Sequence, residues 1–184
     1  MKAQDRSDFA LRCRALGARL AEGELALPEF RARICALLTE RFAVSRASLW
    51  RFVGAGVDRR MHCVGIGTMD GRFEPGGAVL HANAFSGYFE QLVTRGVYSA
   101  PDVQADPLLT GLAPYFNTTG VRALLDTCFA INGLPFGVLC LEETRHTRQW
   151  TASEGAALRQ AASALSLVVA RLGPDFDFGV RHDA

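Results

Sequence analysis

Apolar positions in the first forty residues recur every three or four residues. One stripe comprises Phe9, Cys13, Leu16 and Leu20, and a second comprises Phe30, Ile34 and Leu37. This spacing places each stripe on one side of an α-helix, so we predict two helices. The first should end near Gly23, and Pro28 suits the first position of the second because its missing N–H is not needed there.

From Arg46 onward the pattern changes to the short apolar runs and alternation that are typical of strands. Strands are predicted at 47–53, 60–68 and 78–81, with turns at 54–59 and Asp70-Gly71. A helix over 84–95 should follow and end at Gly96. The stretch 97–119 contains three prolines, so we predict an irregular crossover with short helical turns there.

The clearest predicted element is a hairpin formed by 122–131 and 134–142. Asn132-Gly133 separates these apolar runs, and both residues tolerate the positive φ of a tight hairpin turn. The hairpin and the mixed order of helices and strands favour an α+β fold built on an antiparallel sheet rather than a doubly wound one.

A long final helix should begin at Thr151, which forms a capping box with Glu154. Its apolar residues step by three and four along one side: Leu158, Ala161, Leu165, Val168 and Leu172. This seam is typical both of a two-heptad dimer interface and of a helix that packs on a sheet. The pattern leaves both interpretations open.

Composition and charge narrow the classes of function. The 184 residues suit one domain, and 20 basic against 19 acidic residues give no basic excess for nucleic acid. The chain lacks an apolar run of about 20 residues, so we expect no membrane span and a cytoplasmic location. The five cysteines form neither a C-x-x-C pair nor a zinc-like cluster, so we expect buried thiols and no metal site.

Several stretches, in this order and spacing, resemble GAF domains, the small-molecule sensors attached to bacterial kinases and cyclases. The resemblance begins at 46–50 and continues through Tyr98-Ser99-Ala100-Pro101-Asp102, Asp106-Pro107 and Tyr115-Phe116. It is strongest at 120–126, 133–142 and 148–151 with Glu154. We therefore divide the chain into an N-terminal helix and connector (1–27), a GAF-like domain (28–172) and a tail (173–184).

The resemblance implies a PAS-related architecture and a sensory role. A central antiparallel sheet should carry the N- and C-terminal helices on one face, and on the other a crossover helix and loops should roof a pocket. The implied function is non-catalytic: a small molecule of unknown identity binds, and the terminal helices of a homodimer signal to a kinase or cyclase in trans. No cofactor is assigned.

Candidate pocket residues come from the crossover and the hairpin. Tyr88, Tyr98 and Tyr115 are aromatic residues with polar tips, typical of small-molecule sites but also of loop packing, and Asp102 lies in the same loop. By resemblance to chromophore-binding relatives, alternate residues of the two hairpin strands face the pocket: Leu124, Asp126, Cys128, Val138, Cys140 and Glu142. The two carboxylates could accept a hydrogen bond from a ligand, pair with Arg122, or bond neighbouring backbone.

Other members of the family supply two alternatives and some exclusions. Asp126-Thr127-Cys128-Phe129 is similar to a second bilin-attachment motif, but Cys140 is followed by Leu141 rather than His, so covalent bilin is not expected. The cyclic-nucleotide signature is missing. One alternative is a thiol-dependent free methionine sulfoxide reductase using Cys128 and Cys140; the other is a structural dimerisation module without a ligand.

Overall fold

The computed structural model describes residues 3–173 and 175–180, with side chains from Asp8 onward. Met1, Lys2, Pro174 and 181–184, which belong to the predicted N-terminal and tail segments, lie outside the described residues. The helices are α1 Ala3–Ala21, α2 Leu27–Phe42, α3 Ala82–Arg95, α4 Ala113–Thr119 and α5 Ala152–Leu172. The strands are β1 Arg46–Val53, β2 Arg60–Thr68, β3 Phe73–Glu74, β4 Val79–His81, β5 Val97–Ala100, β6 Ala123–Ile131 and β7 Leu134–Glu143.

The seven described strands form one antiparallel sheet in the order β3-β2-β1-β7-β6-β5, with β4 also paired to β2. The chain therefore has the α+β fold that the sequence predicts. The β6–β7 hairpin lies at its centre and turns through Asn132 and Gly133 with φ of 50° and 79°. These positive values explain why Asn-Gly occupies the turn, since other residues adopt them at a cost.

The three long helices α1, α2 and α5 pack on one face of the sheet, which we call the helix face. The seam of α5 lies in this core: Leu158, Ala161, Leu165 and Val168 are all buried. Val168 contacts α1 at Gly17, where a Cβ atom would come within 2.0 Å of the Val168 side chain. Of the two interpretations of the seam, the structure therefore supports packing within the chain.

The opposite face of the sheet, the crossover face, is covered by residues 82–121, which we call the roof. Within the roof, α3, a 3-10 helix over Pro107–Leu112 and α4 lie over the sheet, whereas β5 joins the edge of the sheet. Both short helices begin with a proline in their first turn, and Gly120 ends α4 with φ of 72°. The prolines thus mark helix starts within the crossover, as well as breaks.

The predicted irregular crossover is wrong at its start, because Val97–Ala100 forms strand β5 at the edge of the sheet. Its residues pair with β6 from Val97 opposite Thr127 to Ala100 opposite Leu124. Pro101 follows directly and cannot donate a backbone hydrogen bond, so the strand ends there. The short strand β3, which pairs at only two positions, was also missed.

Residues 175–180 fold back onto the helix face. The ring of Phe178 is fully buried against Phe30, Phe129, Phe136 and Phe176. Arg31 on α2 fixes this turn by donating from Nη1 to the carbonyl oxygen of Phe178 at 3.0 Å. The segment after α5 is therefore part of the core of the domain.

Gly137 on β7 provides a test of this packing. A Cβ atom at this position would lie 2.3 Å from the Trp50 carbonyl oxygen and 2.4 Å from the Phe129 ring. We expect Gly137→Ala to lower the free energy of unfolding in urea by about 1–3 kcal/mol, as overpacking does. Gly155→Ala is the control, because its Cβ would meet only ordinary contact at 3.8 Å and alanine favours the helix. Equal stability of the two variants would contradict this account.

Candidate functional site

The strand register brings polar side chains together in two rows on the crossover face. Asp126 pairs with Cys140, and Cys140 pairs with Ser48 on β1. In the next row Leu124 pairs with Glu142, and Glu142 pairs with Arg46. Because alternate residues of a strand share a face, the six hairpin residues singled out in the sequence lie together beneath the roof. Their contact with a ligand stays a prediction.

Asp126 is a buried carboxyl group with an incomplete set of partners. It is only 3% exposed, and its Oδ2 accepts a hydrogen bond of 2.7 Å from the hydroxyl of Tyr88 on α3. Its Oδ1 is buried and accepts no hydrogen bond from the described residues, and the neighbouring Cys140 thiol interacts only weakly with the carboxyl group. Burial raises the pKa of Asp126 to about 8, against the lowering effect of the Tyr88 hydroxyl.

Glu142, in contrast, belongs to a closed triad. Arg46 donates from Nε to Glu142 Oε2 at 2.5 Å and from Nη2 to the Tyr115 hydroxyl at 3.0 Å. Tyr115 on α4 in turn donates to Glu142 Oε1 at 3.2 Å. The suggested pairing of these carboxylates with Arg122 is wrong, since the β1 neighbour Arg46 is the partner and Arg122 is exposed.

The third candidate tyrosine, Tyr98, bonds within the roof. Its hydroxyl donates to Asp106 Oδ2 at 2.8 Å, while Asp106 Oδ1 caps the following 3-10 helix at Leu108. The rings of Tyr98 and Tyr88 meet edge to face with centroids 4.9 Å apart. The remaining candidate, Asp102, accepts from the backbone N–H of Gln104 and stabilises a turn, so the structure does not bring it to the buried group.

The space between roof and sheet differs from the roofed pocket that the resemblance implies, because side chains fill much of it. Apolar side chains from both layers pack together there: Trp50, Phe85, Leu92, Leu109, Leu112, Phe116, Leu124 and Val138. Helix α3 kinks at Phe85, whose φ of −137° departs from helical geometry, and Phe85 itself is 1% exposed. The roof is thus closed onto the sheet by this apolar packing, and Tyr88 and Tyr115 connect it to the two buried carboxyl groups.

A neighbouring carboxylate shows what a fully satisfied group looks like in this fold. Glu143 accepts hydrogen bonds from the Ser45 hydroxyl and from Arg145, including an Nη2 contact of 2.9 Å to Oε2. Burial opposes its ionisation, but these donors outweigh burial and lower its pKa to about 2. Asp126 lacks such donors, and this difference singles it out as the unsatisfied polar group of the crossover face.

Cys128 and Cys140, the two thiols of the reductase alternative, lie in buried surroundings that disfavour the thiolate. Burial raises the pKa of Cys128 to about 11 and that of Cys140 well above the ordinary thiol value. A thiolate is the reactive form of cysteine, so neither thiol is activated near neutral pH. All five cysteines are free, and no group of three or more metal-binding side chains occurs within the described part of the chain.

Three participants of this arrangement were not predicted as site residues. Arg46 completes the triad, Asp106 holds Tyr98, and Ser48 accepts from the Trp50 indole at 2.8 Å in the middle of the polar row. Arg46 and Ser48 were read only as part of a strand. Their shared face with the hairpin depends on β1 pairing with β7, which no local pattern indicates.

The raised pKa of Asp126 predicts a pH dependence of stability. Between about pH 4, where an unfolded Asp ionises, and about pH 8, only the folded protein holds this proton. The free energy of unfolding should therefore fall as pH rises through this window, by up to about 1.4 kcal/mol per pH unit. We expect Asp126→Asn to flatten the slope in urea titrations between pH 5 and 9, whereas Asp102→Asn should preserve it. An unchanged slope in Asp126→Asn would contradict the assignment.

Comparison with known proteins agrees with this architecture. The structure is similar to that of a far-red cyanobacteriochrome photoreceptor, with a TM-score of 0.70 and 16% identity over 84% of this chain and 92% of that chain. The blue-light absorbing form of the Thermosynechococcus elongatus PixJ GAF domain is similar with a TM-score of 0.67 and 19% identity, over 94% of this chain and 90% of that chain. A phycocyanobilin-bound GAF domain from a cyanobacterial phytochrome is similar with a TM-score of 0.68 and 17% identity, over 89% of this chain and 94% of that chain.

Curated protein sequences gave no match. No helix among the described residues has the length and apolar character needed to cross a membrane. The model of the GAF domain family, however, matches residues 27–169, from the start of α2 almost to the end of α5. The chain therefore belongs to the GAF domain family.

Proposed function

We propose that the protein is a non-catalytic sensory module that binds a small molecule between the crossover face and the roof. The observation that carries the proposal is Asp126, a fully buried carboxyl group with one oxygen unsatisfied. A buried polar group without partners costs free energy, so a ligand that supplies the partner gains what the empty site lacks. One structural relative is a phycocyanobilin-bound GAF domain, which supports the binding of a small molecule by this fold.

The protonation of Asp126 indicates the chemistry of the bound group. With a pKa of about 8, the carboxyl is largely neutral near pH 7 and carries both a donor and an acceptor. Such a group pairs best with a ligand edge that also presents a donor beside an acceptor, as an amide or lactam does. Apolar side chains from the roof and the sheet flank the polar row around Asp126, which suits a ligand with a largely apolar body.

Binding in this layer requires the roof to move away from the sheet. The Tyr88 hydrogen bond to Asp126 and the Tyr115 hydrogen bond to Glu142 connect α3 and α4 to the hairpin. A ligand that takes the place of Tyr88 at Asp126 releases α3, so binding and roof position are coupled. We infer that this displacement is the signal.

The hairpin also contacts the terminal helix, which provides a route for the signal. The backbone N–H of Ala130 on β6 donates to the Ser166 hydroxyl of α5 at 3.1 Å. Because the buried side of α5 belongs to the core, a homodimer would have to use the exposed side, where Leu167 is 61% exposed. We propose that dimerised terminal helices pass the change to a kinase or cyclase in trans.

The closed chamber gives one alternative a specific basis, namely a structural module without a ligand. Native mass spectrometry after incubation with a desalted extract of cell metabolites distinguishes the two. We expect a ligand mass on the unmodified protein and none on the double variant Asp126→Leu/Tyr88→Phe, which replaces both hydrogen-bonding partners by apolar groups of similar shape.

Glu40→Gln is the matched control, since Glu40 is exposed on α2 and forms an ion pair with Arg12 at the surface. It should retain the ligand mass. Failure of the unmodified protein to carry any small molecule would favour the structural module. A ligand retained by the double variant would remove Asp126 from the site.

The proposed dimer surface predicts the effect of a charge at Leu167. We expect Leu167→Glu to convert a dimer to a monomer in light scattering, because a carboxylate buried at an interface is costly. Leu134→Glu, at the hairpin tip where Leu134 is 73% exposed, should leave the mass unchanged. A dimer that persists in Leu167→Glu would exclude this side of α5 as the interface.

A further inference from the structure

A second cleft lies on the helix face of the sheet, away from the chamber beneath the roof. It has a volume of about 590 Å³ and opens between α2, the β2–β4 edge and residues 179–180. This volume falls within the range of small-molecule sites, about 300–1,000 Å³. Its polar lining residues differ from those of the proposed sensory site, although both sites use strands β1 and β2.

The lining of this cleft is basic. Arg31 from α2, Arg60 and His62 from β2, and His81 from the end of β4 all contribute to its walls. The described lining residues include no aspartate or glutamate. Positive side chains that converge on a concave surface attract anions, because the low-dielectric walls concentrate their field.

Among the basic side chains of this cleft, Arg31 has the strongest structural reason to bind an anion. Its Nη1 donates to the Phe178 carbonyl, and its Nε is buried with no hydrogen-bond partner among the described residues. Burial lowers the pKa of its guanidinium, and the electrostatic effect of Cys35 and Cys63 only partly opposes this. A guanidinium fork is the side chain best suited to phosphate and carboxylate groups.

The wall opposite Arg31 is formed by a glycine-containing segment that lies close to the sheet edge. Gly77 donates its N–H to the Cys63 carbonyl at 3.0 Å, and Cys63 donates to Ala78 at 2.8 Å. Gly76 has φ of 84°, and a Cβ there would lie 2.3 Å from the same Cys63 carbonyl oxygen. Because glycine has no Cβ, Gly76 allows the segment to lie close against β2.

We propose that this cleft is a second ligand site, which binds a small organic anion carrying a phosphate group or several carboxylates. Arg31 and Arg60 would hold the charged groups from two sides. His62 and His81 would border the remainder of the ligand. We expect this site to act independently of the site beneath the roof, since its polar lining residues differ from those around Asp126 and Glu142.

Isothermal titration calorimetry of the full chain at low salt tests this proposal with AMP, citrate and, as the uncharged control, adenosine. We expect AMP or citrate to bind, whereas adenosine should not. Binding of AMP would indicate recognition of phosphate, and binding of citrate would indicate recognition of carboxylates. Arg60→Gln should weaken that binding by roughly tenfold or more, because it removes a charge-assisted contact. Arg60 is exposed, so this variant should fold normally.

Arg159→Gln is the matched control, an exposed arginine of α5 that lies outside the cleft. It should bind the anion as the unmodified protein does. Equal affinities of Arg60→Gln and Arg159→Gln, or no binding of either anion at millimolar concentration, would overturn the proposal. The double variant Asp126→Leu/Tyr88→Phe should keep the anion affinity, which separates this site from the proposed sensory site.

Discussion

The hydrogen bond between Tyr88 and Asp126 is the contact on which the crossover side of this domain depends. It connects α3 to strand β6 at 2.7 Å, among buried apolar side chains and beside the polar row of Cys140 and Ser48. In such surroundings a hydrogen bond is strong and its loss is costly, because no water replaces the missing partner. Among the described residues, the only strong hydrogen-bond donor to Asp126 is Tyr88 of the roof. The Asp126 carboxyl is therefore hydrogen-bonded only when the roof is closed onto the sheet.

The two faces of the sheet are covered by layers of different composition. On the helix face, α1, α2 and α5 bury an apolar core, and Gly17 allows α1 and α5 to pack closely. On the crossover face, the roof is made of short helices, and polar pairs share the interior with apolar side chains. A continuous apolar core resists rearrangement, whereas a layer of short elements can open locally at lower cost. The architecture thus places a stable scaffold and an adaptable layer on opposite sides of one hairpin.

The features that the sequence predicted are those with local causes. The Asn132-Gly133 turn follows from backbone preferences, and the capping box from Thr151 and Glu154 being three residues apart. The non-local features were missed: β5 is a strand only because β6 offers it an edge, and Arg46 meets Glu142 only through the β1–β7 pairing. The packed space beneath the roof is also a non-local feature, because the bend of α3 at Phe85 cannot be predicted from the local sequence.

Because the roof is closed onto the sheet, a ligand can bind beneath it only after the roof opens. If the open form is a minor state, the apparent affinity is reduced by the fraction of molecules that are open. The ligand therefore has to recover the free energy of the contacts that the roof gives up, and replacing Tyr88 at Asp126 recovers one of them directly. The triad of Arg46, Glu142 and Tyr115 is already satisfied and offers no such gain. In the proposed sensory function, selectivity would therefore reside at Asp126, and the triad would be the fixed contact about which the roof moves.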